Sequence, residues 1–586
     1  MLRIGAFVAV LLVFYSCKKA SPAFSVLEDD FVYSVLAFSP VSAAAQGYHS
    51  HQGRNFDTAL DEVSVAAIDS QRSYLSSFHR QISLVDPASL SAEERADYDI
   101  IQDQLAYMLF DLDIAQSWRH NPTIYVELAG AALFNPYVLN YAPQAERARH
   151  IIARLDQIPT FFDHVIRILV AAPAPWIQVA RDENQGNIAL VDQTLRRFIP
   201  EDQRPAYGRA AERALLALRS FDRFLEQELP KRIRNGKTPD WRLGESNYKT
   251  KFRFALGTDQ SPDQVLAAAE KDLPRVRSEM AALAKKILES RGHAEAADER
   301  GNILAALDIV AGQHSTPVSY MGDARADLAE ARAFVEQKGI VTLPSRGNLQ
   351  VIDTPAFMRG IYAVGGFNPA PVLQPQSGAF YWITPFPPDW DEARIRSKLR
   401  EDNFYNLKLL TVHEAMPGHY VQAEFANEVQ PKTRKVLRAL WGNTPYVEGW
   451  AQYATRVMLD QGFLNNSPEL RLAFLKQELR VLANAILDIR LQTDRMTEQQ
   501  ALDLMEKQTF QEHEEAVAKI RRAQLSSAQL PAYFVGWRDW SRVRKQYQAY
   551  KGKSFQLKAF HDAALKEGAV PLPVLFRLMT GKPLAP

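Results

Sequence analysis

The spacing of apolar residues along most of the chain is that of amphipathic helices. After Ser261, apolar side chains recur in steps of three or four, or in sums of these steps, from Val265 to Ile287, which is the period of one helix face. Ser261 and Gln264 have the spacing of a capping box, in which each side chain bonds the backbone N–H of the other residue. The pattern predicts a long helix that begins after Ser261 and ends near Gly292.

Capping boxes at two other places predict further helix starts. Residues 91–94 (Ser-Ala-Glu-Glu) and 497–500 (Thr-Glu-Gln-Gln) each carry Ser or Thr three residues before Glu or Gln, a signature of a helix N-terminus. Glycine makes up 27/586 = 4.6% of the chain, against an average of about 7%. Together these features predict a mostly helical protein.

Residues from about 341 to 390 depart from the helical pattern. The stretches 349–352 and 379–383 are rich in aromatic and β-branched residues and are bounded by Gly and Pro, which predicts strands. Between them, residues 365–369 (Gly-Gly-Phe-Asn-Pro) carry turn-forming residues and predict a loop. We therefore expect a small sheet embedded in a helical body.

The first 17 residues have the pattern of a secretion signal. A short basic start precedes an apolar run over residues 4–14, which is too short to cross a bilayer of about 30 Å and has the length of a signal-peptide core. Ser16 and Cys17 follow, and a small residue before a cysteine resembles a bacterial lipoprotein signal, in which that cysteine is lipidated. The alternatives are an ordinary secretory signal with an incidental cysteine, or a short anchor.

This interpretation divides the chain into three segments. We expect a signal peptide over residues 1–16, a lipidated N-terminus and tether over residues 17–45, and a helical body over residues 46–586. The body would lie in the bacterial cell envelope, on the periplasmic or outer-membrane side, and would contact the membrane through its N-terminal lipid. Cys17 is the single cysteine of the chain, which excludes an internal disulfide and a cysteine-based metal cage.

The charge balance excludes one large class of function. Lys and Arg number 69 and Asp and Glu number 68, so the net charge is 69 − 68 = +1. A nucleic-acid-binding protein needs a concentrated basic surface, so no nucleic-acid partner is expected. With 47% hydrophobic and 23% charged residues, the composition is that of a globular protein and not of a disordered one.

Residues 413–419 (His-Glu-Ala-Met-Pro-Gly-His) carry the residue types of a zinc hydrolase in an unusual spacing. In the common arrangement, two histidines lie four residues apart on one helix face, and a glutamate beside the first is the general base. Here His419 comes six residues after His413, which would place the two side chains about 120° apart on an ideal helix. Pro417 breaks helical hydrogen bonding, and Gly418 tolerates unusual backbone angles. We expect the two extra residues to be absorbed as a bulge, so that both histidines bind one metal ion.

A third metal ligand is expected from a second helix. Glu448, within residues 446–453 (Tyr-Val-Glu-Gly-Trp-Ala-Gln-Tyr), would complete the set of two His and one Glu that binds a catalytic zinc. Glu414 lies next to a ligand but about 100° around the helix from it, so we expect it to activate water and not to bind the metal. The alternative for an isolated His-Glu pair is a solvated or helix-capping feature.

These two motifs resemble the family catalogued as domain of unknown function 885, bacterial proteins grouped with the gluzincin metallopeptidases. The resemblance covers the chain from about residue 30 to the C-terminus, and it includes the following segments: 91–105, 413–419, 447–453, 532–536, 560–562 and 568–572. It implies Zn²⁺ bound by His413, His419 and Glu448, with Glu414 as the base that activates water. The expected fold is mostly α, two-lobed and metallopeptidase-like, with a small β-sheet next to the active-site cleft.

Two positions depart from the pattern of the family. Tyr420 stands where many relatives have a second His directly after the metal ligand, and Gln492 stands where many have a His. Whether these departures alter specificity or rate is left open by the sequence.

Four further residues are candidates for contacts with a peptide substrate. Tyr533 is expected to stabilise the oxyanion, because gluzincins commonly use Tyr or His for this purpose; the alternative is a buried structural aromatic. Gly378 and Ala379 are expected to lie in an edge strand that binds an extended peptide by β-addition. Arg490 is a candidate for holding a substrate carboxylate, with a surface ion pair as the alternative.

The sequence therefore predicts a lipid-anchored, zinc-dependent metallopeptidase outside the cytoplasm. One alternative is a metal-dependent hydrolase of a non-peptide or cell-wall amide, and another is a non-catalytic binding lipoprotein. The presence of Glu414 argues against the second alternative, because a binding scaffold has no need for a base beside metal ligands.

Overall fold

The computed structural model describes residues 23–232, 239–359, 362, 364–493 and 495–585. Most of these residues are helical, as the spacing of apolar side chains predicts. The helices up to residue 311 are α1 (Phe24–Phe38), α2 (Pro40–Ala45), α3 (Val65–Ile82), α4 (Ala92–Phe110), α5 (Ser117–His120), α6 (Thr123–Val138), α7 (Gln144–Leu155), α8 (Ile158–Ile168), α9 (Ala174–Ala189), α10 (Leu195–Phe198), α11 (Arg204–Arg223), α12 (Gly244–Leu256), α13 (Pro262–Ser290) and α14 (Glu299–Ala311). The helices after residue 311 are α15 (Tyr320–Lys338), α16 (Glu392–Glu401), α17 (Phe404–Glu414), α18 (His419–Ala426), α19 (Lys432–Leu440), α20 (Thr444–Asp460), α21 (Pro468–Gln492), α22 (Glu498–Asp503), α23 (His513–Leu525), α24 (Pro531–Lys551), α25 (Leu557–Lys566) and α26 (Leu572–Thr580).

All three predicted capping boxes are present. Ser91 caps α4, Ser261 caps α13 and Thr497 caps α22, and in each case the two side chains bond the backbone of the other residue. The long helix α13 continues through Pro274 and ends at Ser290. The helix starts that were predicted from hydrogen-bonding side chains are therefore confirmed.

The segment before residue 46 belongs to the folded body. α1 buries Phe31 and Val32 completely, and the ring of Phe31 lies 5.3 Å from that of Phe78 and 5.6 Å from that of Trp441. The predicted tether over residues 17–45 is therefore wrong from α1 onward, because α1 and α2 supply part of the core.

The predicted signal peptide and Cys17 lie outside the described residues. Among the helices that the structure does describe, none is both long enough and apolar enough to cross a membrane.

Five short strands form two small sheets within the described ranges. They are β1 (Ser50–His51), β2 (Arg54–Asn55), β3 (Leu349–Asp353), β4 (Gly365–Asn368) and β5 (Ala379–Ile383). β1 pairs with β2, and the other sheet has the order β3-β5-β4. β5 pairs in parallel with β3 and antiparallel with β4, so the strands predicted over 349–352 and 379–383 are confirmed.

Two expectations for this region are wrong. β5 is the central strand with both edges paired, so Gly378 and Ala379 offer no edge to a peptide, and β4 is an edge strand instead. The loop predicted at residues 365–369 begins with β4 because its glycines allow close approach. A Cβ on Gly365 would lie 2.4 Å from the carbonyl oxygen of Trp382.

The three-stranded sheet is fixed to α17 and α18. The hydroxyl of Tyr381 in β5 lies 3.0 Å from Oγ1 of Thr411 in α17, and both atoms are buried. The ring of Phe367 in β4 stacks on His419 with centroids 6.5 Å apart and an interplanar angle of 16°. These contacts place β4 beside the two histidines of the sequence motif.

Helices α20 and α24 cross with their backbones in contact. A Cβ on Gly449 would lie 2.3 Å from the carbonyl carbon of Gly536, and a Cβ on Gly536 would lie 1.9 Å from the carbonyl oxygen of Pro445. Only glycine fits at this crossing, since any side chain would force the helices apart. Because Glu448 precedes Gly449 and Tyr533 lies one turn before Gly536, the crossing fixes these two side chains relative to each other.

Candidate metal centre

The motif with two histidines joins two helices. α17 ends at Glu414 and α18 begins at His419, so the expected single bulged helix is wrong in form. The helix stops because Pro417 has no N–H with which to continue the hydrogen-bond ladder. The chain then turns so tightly that a Cβ on Gly418 would lie 1.8 Å from the carbonyl oxygen of His413. Glycine at this position is therefore a steric requirement.

A buried tryptophan holds this break between α17 and α18. Trp450 is fully buried, and its indole N–H donates to the carbonyl oxygens of Pro417 (2.9 Å) and Gly418 (3.2 Å). Trp450 lies in α20, two residues after Glu448. The helix that carries the third predicted ligand therefore also holds the backbone between the first two.

The structure brings the three predicted ligands together. His413, His419 and Glu448 each present one donor atom, and these atoms lie within 4.8 Å of one another. Nε2 of His413 lies 3.8 Å, and Nε2 of His419 3.4 Å, from Oε2 of Glu448. The three side chains expose 15%, 11% and 17% of their surface, so the cluster is shielded and still within reach of solvent.

The chemistry of these donors fits a zinc ion. Oε2 of Glu448 is buried and accepts no hydrogen bond within the described part of the chain. Burial and the charge of His419 lower the pKa of His413 to about 3, against an opposing effect of Glu448, so its imidazole is neutral and can coordinate a metal. Burial raises the pKa of Glu448, but the two nearby histidines outweigh it and hold that pKa below its usual value. Two imidazole nitrogens and one carboxylate oxygen are the ligand set of a catalytic zinc.

Two candidate catalytic side chains lie beside the cluster. Burial raises the pKa of Glu414 to about 7; the charge of His419 opposes this shift and that of Glu448 adds to it. A carboxyl group with a pKa near neutrality is suited to proton transfer. Burial and the charge of Glu448 raise the pKa of Tyr533 well above its usual value, and Glu414 adds to the effect. The Tyr533 hydroxyl is therefore protonated at neutral pH and available as a hydrogen-bond donor.

Sequence reasoning missed two aromatic side chains at this site. Phe367 stacks on His419. Burial raises the pKa of Tyr362. The charge of Arg522 lowers this pKa, and the charges of Glu414 and Glu448 raise it further. Both residues precede β5 in the chain. The order of the strands in the sheet brings them to the site, and no local sequence motif predicts this.

Arg490 does not belong to the site. Its guanidinium forms an ion pair with Glu270 at the surface, where the side chains expose 37% and 39% of their area. The expected role in binding a substrate carboxylate is therefore wrong, and the alternative of a surface ion pair is confirmed.

The two departures from the family pattern have structural roles. The amide of Gln492 donates to the carbonyl oxygens of Ala523 (2.9 Å) and Ser526 (3.1 Å) and accepts from the N–H of Leu243 (3.1 Å). The hydroxyl of Tyr420 donates to the carbonyl oxygen of Arg346 at 2.6 Å. Both side chains join separate segments of the chain through backbone groups.

We expect Trp450→Phe to weaken zinc affinity by about 10–100-fold, the loss typical of removing a group that orients a metal ligand. It should also lower the free energy of unfolding by about 1–3 kcal/mol, because two buried carbonyl groups lose a donor. Urea denaturation and a competition titration with a zinc chelator measure the two effects.

Trp540→Phe is the matched control for this variant. The indole of Trp540 donates to the carbonyl oxygen of Tyr446 at 2.9 Å, away from the break between α17 and α18. It should destabilise the fold to a similar extent and leave zinc affinity unchanged. An equal loss of zinc affinity in both variants would show that Trp450 has no special part in positioning the ligands.

A family of bacterial proteins of unknown function, DUF885, matches residues 40–579. The chain belongs to the DUF885 family. Among solved structures, it is similar to a predicted lipoprotein of unknown function from Shewanella oneidensis, with 28% identity and a TM-score of 0.76 over 95% of this chain and 99% of that one. A predicted lipoprotein from Colwellia psychrerythraea, 19% identical, has a TM-score of 0.77 over 94% of this chain and 98% of that one. The fold described above is thus shared with these two structures.

A more distant likeness adds nothing to this assignment. Metallocarboxypeptidase 1 of Trypanosoma cruzi is 10% identical over 96% of this chain and 97% of that one, but the TM-score of 0.42 is too low to support an argument. No curated protein matches the chain.

Proposed function

We propose that this DUF885 protein is a zinc-dependent peptidase that acts outside the cytoplasm. One observation carries the proposal: Oε2 of Glu448, buried and without a hydrogen-bond donor, lies within 4.8 Å of donor nitrogens of His413 and His419. A glutamate directly follows the first histidine, as in zinc peptidases. This combination supports a catalytic metal site more than a structural one, since structural zinc sites use four protein ligands.

The roles of the side chains follow from their positions. Bound zinc would supply Lewis-acid activation of a water molecule and of the substrate carbonyl. Glu414 accepts a proton from the attacking water at its carboxylate and returns it to the leaving amine. Tyr533 donates its hydroxyl hydrogen to the carbonyl oxygen that gains negative charge.

The edge of β4 supports a peptide as the substrate. β4 pairs with β5 alone, so its other edge has no strand partner among the described residues. Phe367 in β4 stacks on His419, so this strand lies beside the proposed zinc site. An extended peptide can add to such an edge through backbone hydrogen bonds, and a non-peptide amide would not use them.

Incubation of the purified protein with a mixed peptide library tests this function. Mass spectrometry should show cleavage products, which should disappear with a zinc chelator and return when zinc is added back. Cleavage of cell-wall amides without cleavage of peptides would favour the alternative hydrolase. Absence of both activities in the zinc-loaded protein would favour a non-catalytic binding lipoprotein.

A lipid anchor at Cys17 is part of the proposal. The two solved relatives are themselves predicted lipoproteins, and Cys17 follows an apolar stretch of signal-peptide length.

We expect Cys17→Ala to move the protein from the membrane fraction to the soluble fraction of bacterial cells, because two or more acyl chains are needed for stable anchoring. Ultracentrifugation and immunoblotting of the two fractions measure this distribution. Retention of the variant at the membrane would contradict lipid anchoring at this residue.

A further inference from the structure

A cluster of three cations with one carboxylate lies where α21 and α23 pack together. Arg480 comes from α21, and Lys519 and Arg522 from α23. Glu515, Lys519 and Arg522 are spaced by four and three residues and therefore share one face of α23. The formal charge of the cluster is 3 − 1 = +2, so one carboxylate leaves a surplus of positive charge.

The ammonium of Lys519 is the least satisfied of these cations. Its ion-pair partner Glu515 lies 3.9 Å away, beyond hydrogen-bond distance. Glu515 is held at 3.1 Å by Arg480, so the stronger contact of this carboxylate is with another residue. An ammonium offers three donors, and Lys519 forms no hydrogen bond with any residue that the structure describes.

The charges of the cluster act on the metal centre. Burial lowers the pKa of Lys519, and among the neighbouring charges that act on it are Arg480 and Arg522, which lower it further, and the metal ligand Glu448, which raises it. The charge of Arg480 likewise adds to the effects that lower the pKa of His413. Lys519 and Arg480 therefore lie within electrostatic reach of the ligands from two different helices.

One of the two acidic groups close to Arg522 carries no charge at neutral pH. Glu127 and Glu183 lie close enough to Arg522 for its charge to lower their pKa values, but burial outweighs this effect and raises the pKa of Glu183 to about 9. Glu183 is therefore uncharged at neutral pH.

A small cavity lies between Arg480 and the start of the edge strand β4. Arg480 lines this cavity of about 60 Å³ together with Leu410 of α17 and Val364, the residue directly before β4. Arg480 therefore lies near both α17, which carries His413, and the start of β4, along which the substrate is proposed to lie. The anion that every unmodified peptide carries at an end is its C-terminal carboxylate, and guanidinium and ammonium groups bind carboxylates with short, charge-assisted hydrogen bonds.

We propose that Lys519, together with Arg480 and Arg522, binds the C-terminal carboxylate of the peptide substrate, so that cleavage occurs close to the free carboxyl end. This inference rests on the proposed peptidase function and deepens it. In this proposal the three cations bind the substrate, and none of them is a zinc ligand or the general base.

One peptide in three forms tests this proposal: with both termini free, with an amidated C-terminus, and with an acetylated N-terminus. Binding is measured by calorimetry on the zinc-loaded Glu414→Gln protein, and turnover is measured on the unmodified enzyme. Amidation should weaken binding and lower kcat/KM by about 10–100-fold, the range for a lost hydrogen bond to a charged group. Acetylation should change neither by more than about threefold, a shift smaller than the loss of one such bond.

Lys519→Met assigns the effect to this residue. It should lower kcat/KM for the peptide with a free carboxylate to near the value for the amidated peptide. Neither kcat/KM for the amidated peptide nor the zinc content should change. Lys507→Met is the matched control, because Lys507 also pairs with an acidic residue four positions earlier, Asp503, at 2.9 Å, and is exposed. This control should change kcat/KM for neither the free-acid peptide nor the amidated peptide.

Equal binding and equal turnover of the acid and the amide would overturn the carboxylate site and leave the peptidase function standing. Dependence on a free amino terminus in place of the carboxylate would overturn it as well. If none of the three forms is hydrolysed, the peptidase function fails, and the calorimetric comparison of acid with amide still decides whether the cations bind a carboxylate.

Discussion

Replacing Glu414 by Gln is expected to lower peptide hydrolysis by about 10²–10⁴-fold, the contribution of a positioned general base, while one zinc ion stays bound. The amide keeps the size and polarity of the side chain but cannot accept a proton. Glu414 is not one of the three clustered donors, which are His413, His419 and Glu448, so metal binding should not depend on its charge. Elemental analysis gives the zinc content, and turnover is measured on the peptide that the unmodified protein cleaves fastest.

Glu428→Gln is the control for this variant. Glu428 follows α18, exposes 69% of its side chain and pairs with Arg346 at 3.3 Å. Zinc content and turnover should both stay at the level of the unmodified protein. Full activity of Glu414→Gln would refute its role as base, and loss of zinc from that variant would show that Glu414 is a ligand.

Replacing Glu448 by Gln is expected to weaken zinc binding by more than about 100-fold, since loss of a partner that merely orients a ligand already costs about 10–100-fold. A neutral amide oxygen is a poorer zinc ligand than a carboxylate. His419→Ala should have the same effect, because the break at Pro417 brings this residue to within 3.4 Å of Glu448. Both affinities are measured by competition with a chelator of known zinc affinity.

These two variants also separate the ligands from the base. Activity should be lost together with zinc in both, and adding excess zinc should restore part of it. Full zinc occupancy in His419→Ala would contradict the ligand set, and it would indicate that the six-residue spacing does not place both histidines on one ion.

The features that the sequence predicts correctly depend on residues close together in the chain. Ser261 and Gln264 bond each other's backbone within one helical turn, so the start of α13 follows from four residues. Pro417 and Gly418 between two histidines likewise indicate a local disturbance of the helix, although the sequence predicts a bulge within one helix and the structure has two helices. The conformation of the break depends on Trp450 in α20, whose indole N–H donates to the carbonyl oxygen of Pro417. Residues close to the break in sequence do not predict this contact.

The features that the sequence predicts wrongly depend on which elements become neighbours. Gly378 and Ala379 have the composition of a strand, but the order β3-β5-β4 places β5 in the middle of the sheet. Arg490 and Arg480 both lie in α21, and helical periodicity cannot tell which side faces a metal centre formed by α17, α18 and α20. The structure places Arg490 in a surface ion pair with Glu270 and Arg480 close enough to His413 for its charge to lower the pKa of that histidine.

The most direct measurement of the central claim is X-ray diffraction from crystals of the zinc-loaded protein at wavelengths on both sides of the zinc absorption edge. We predict one strong anomalous peak that appears above the edge and lies between Nε2 of His413, Nε2 of His419 and Oε2 of Glu448. Crystals of Glu448→Gln grown at the same zinc concentration should show a weaker peak or none. A zinc peak elsewhere in the molecule, with no density among these three atoms, would contradict the account.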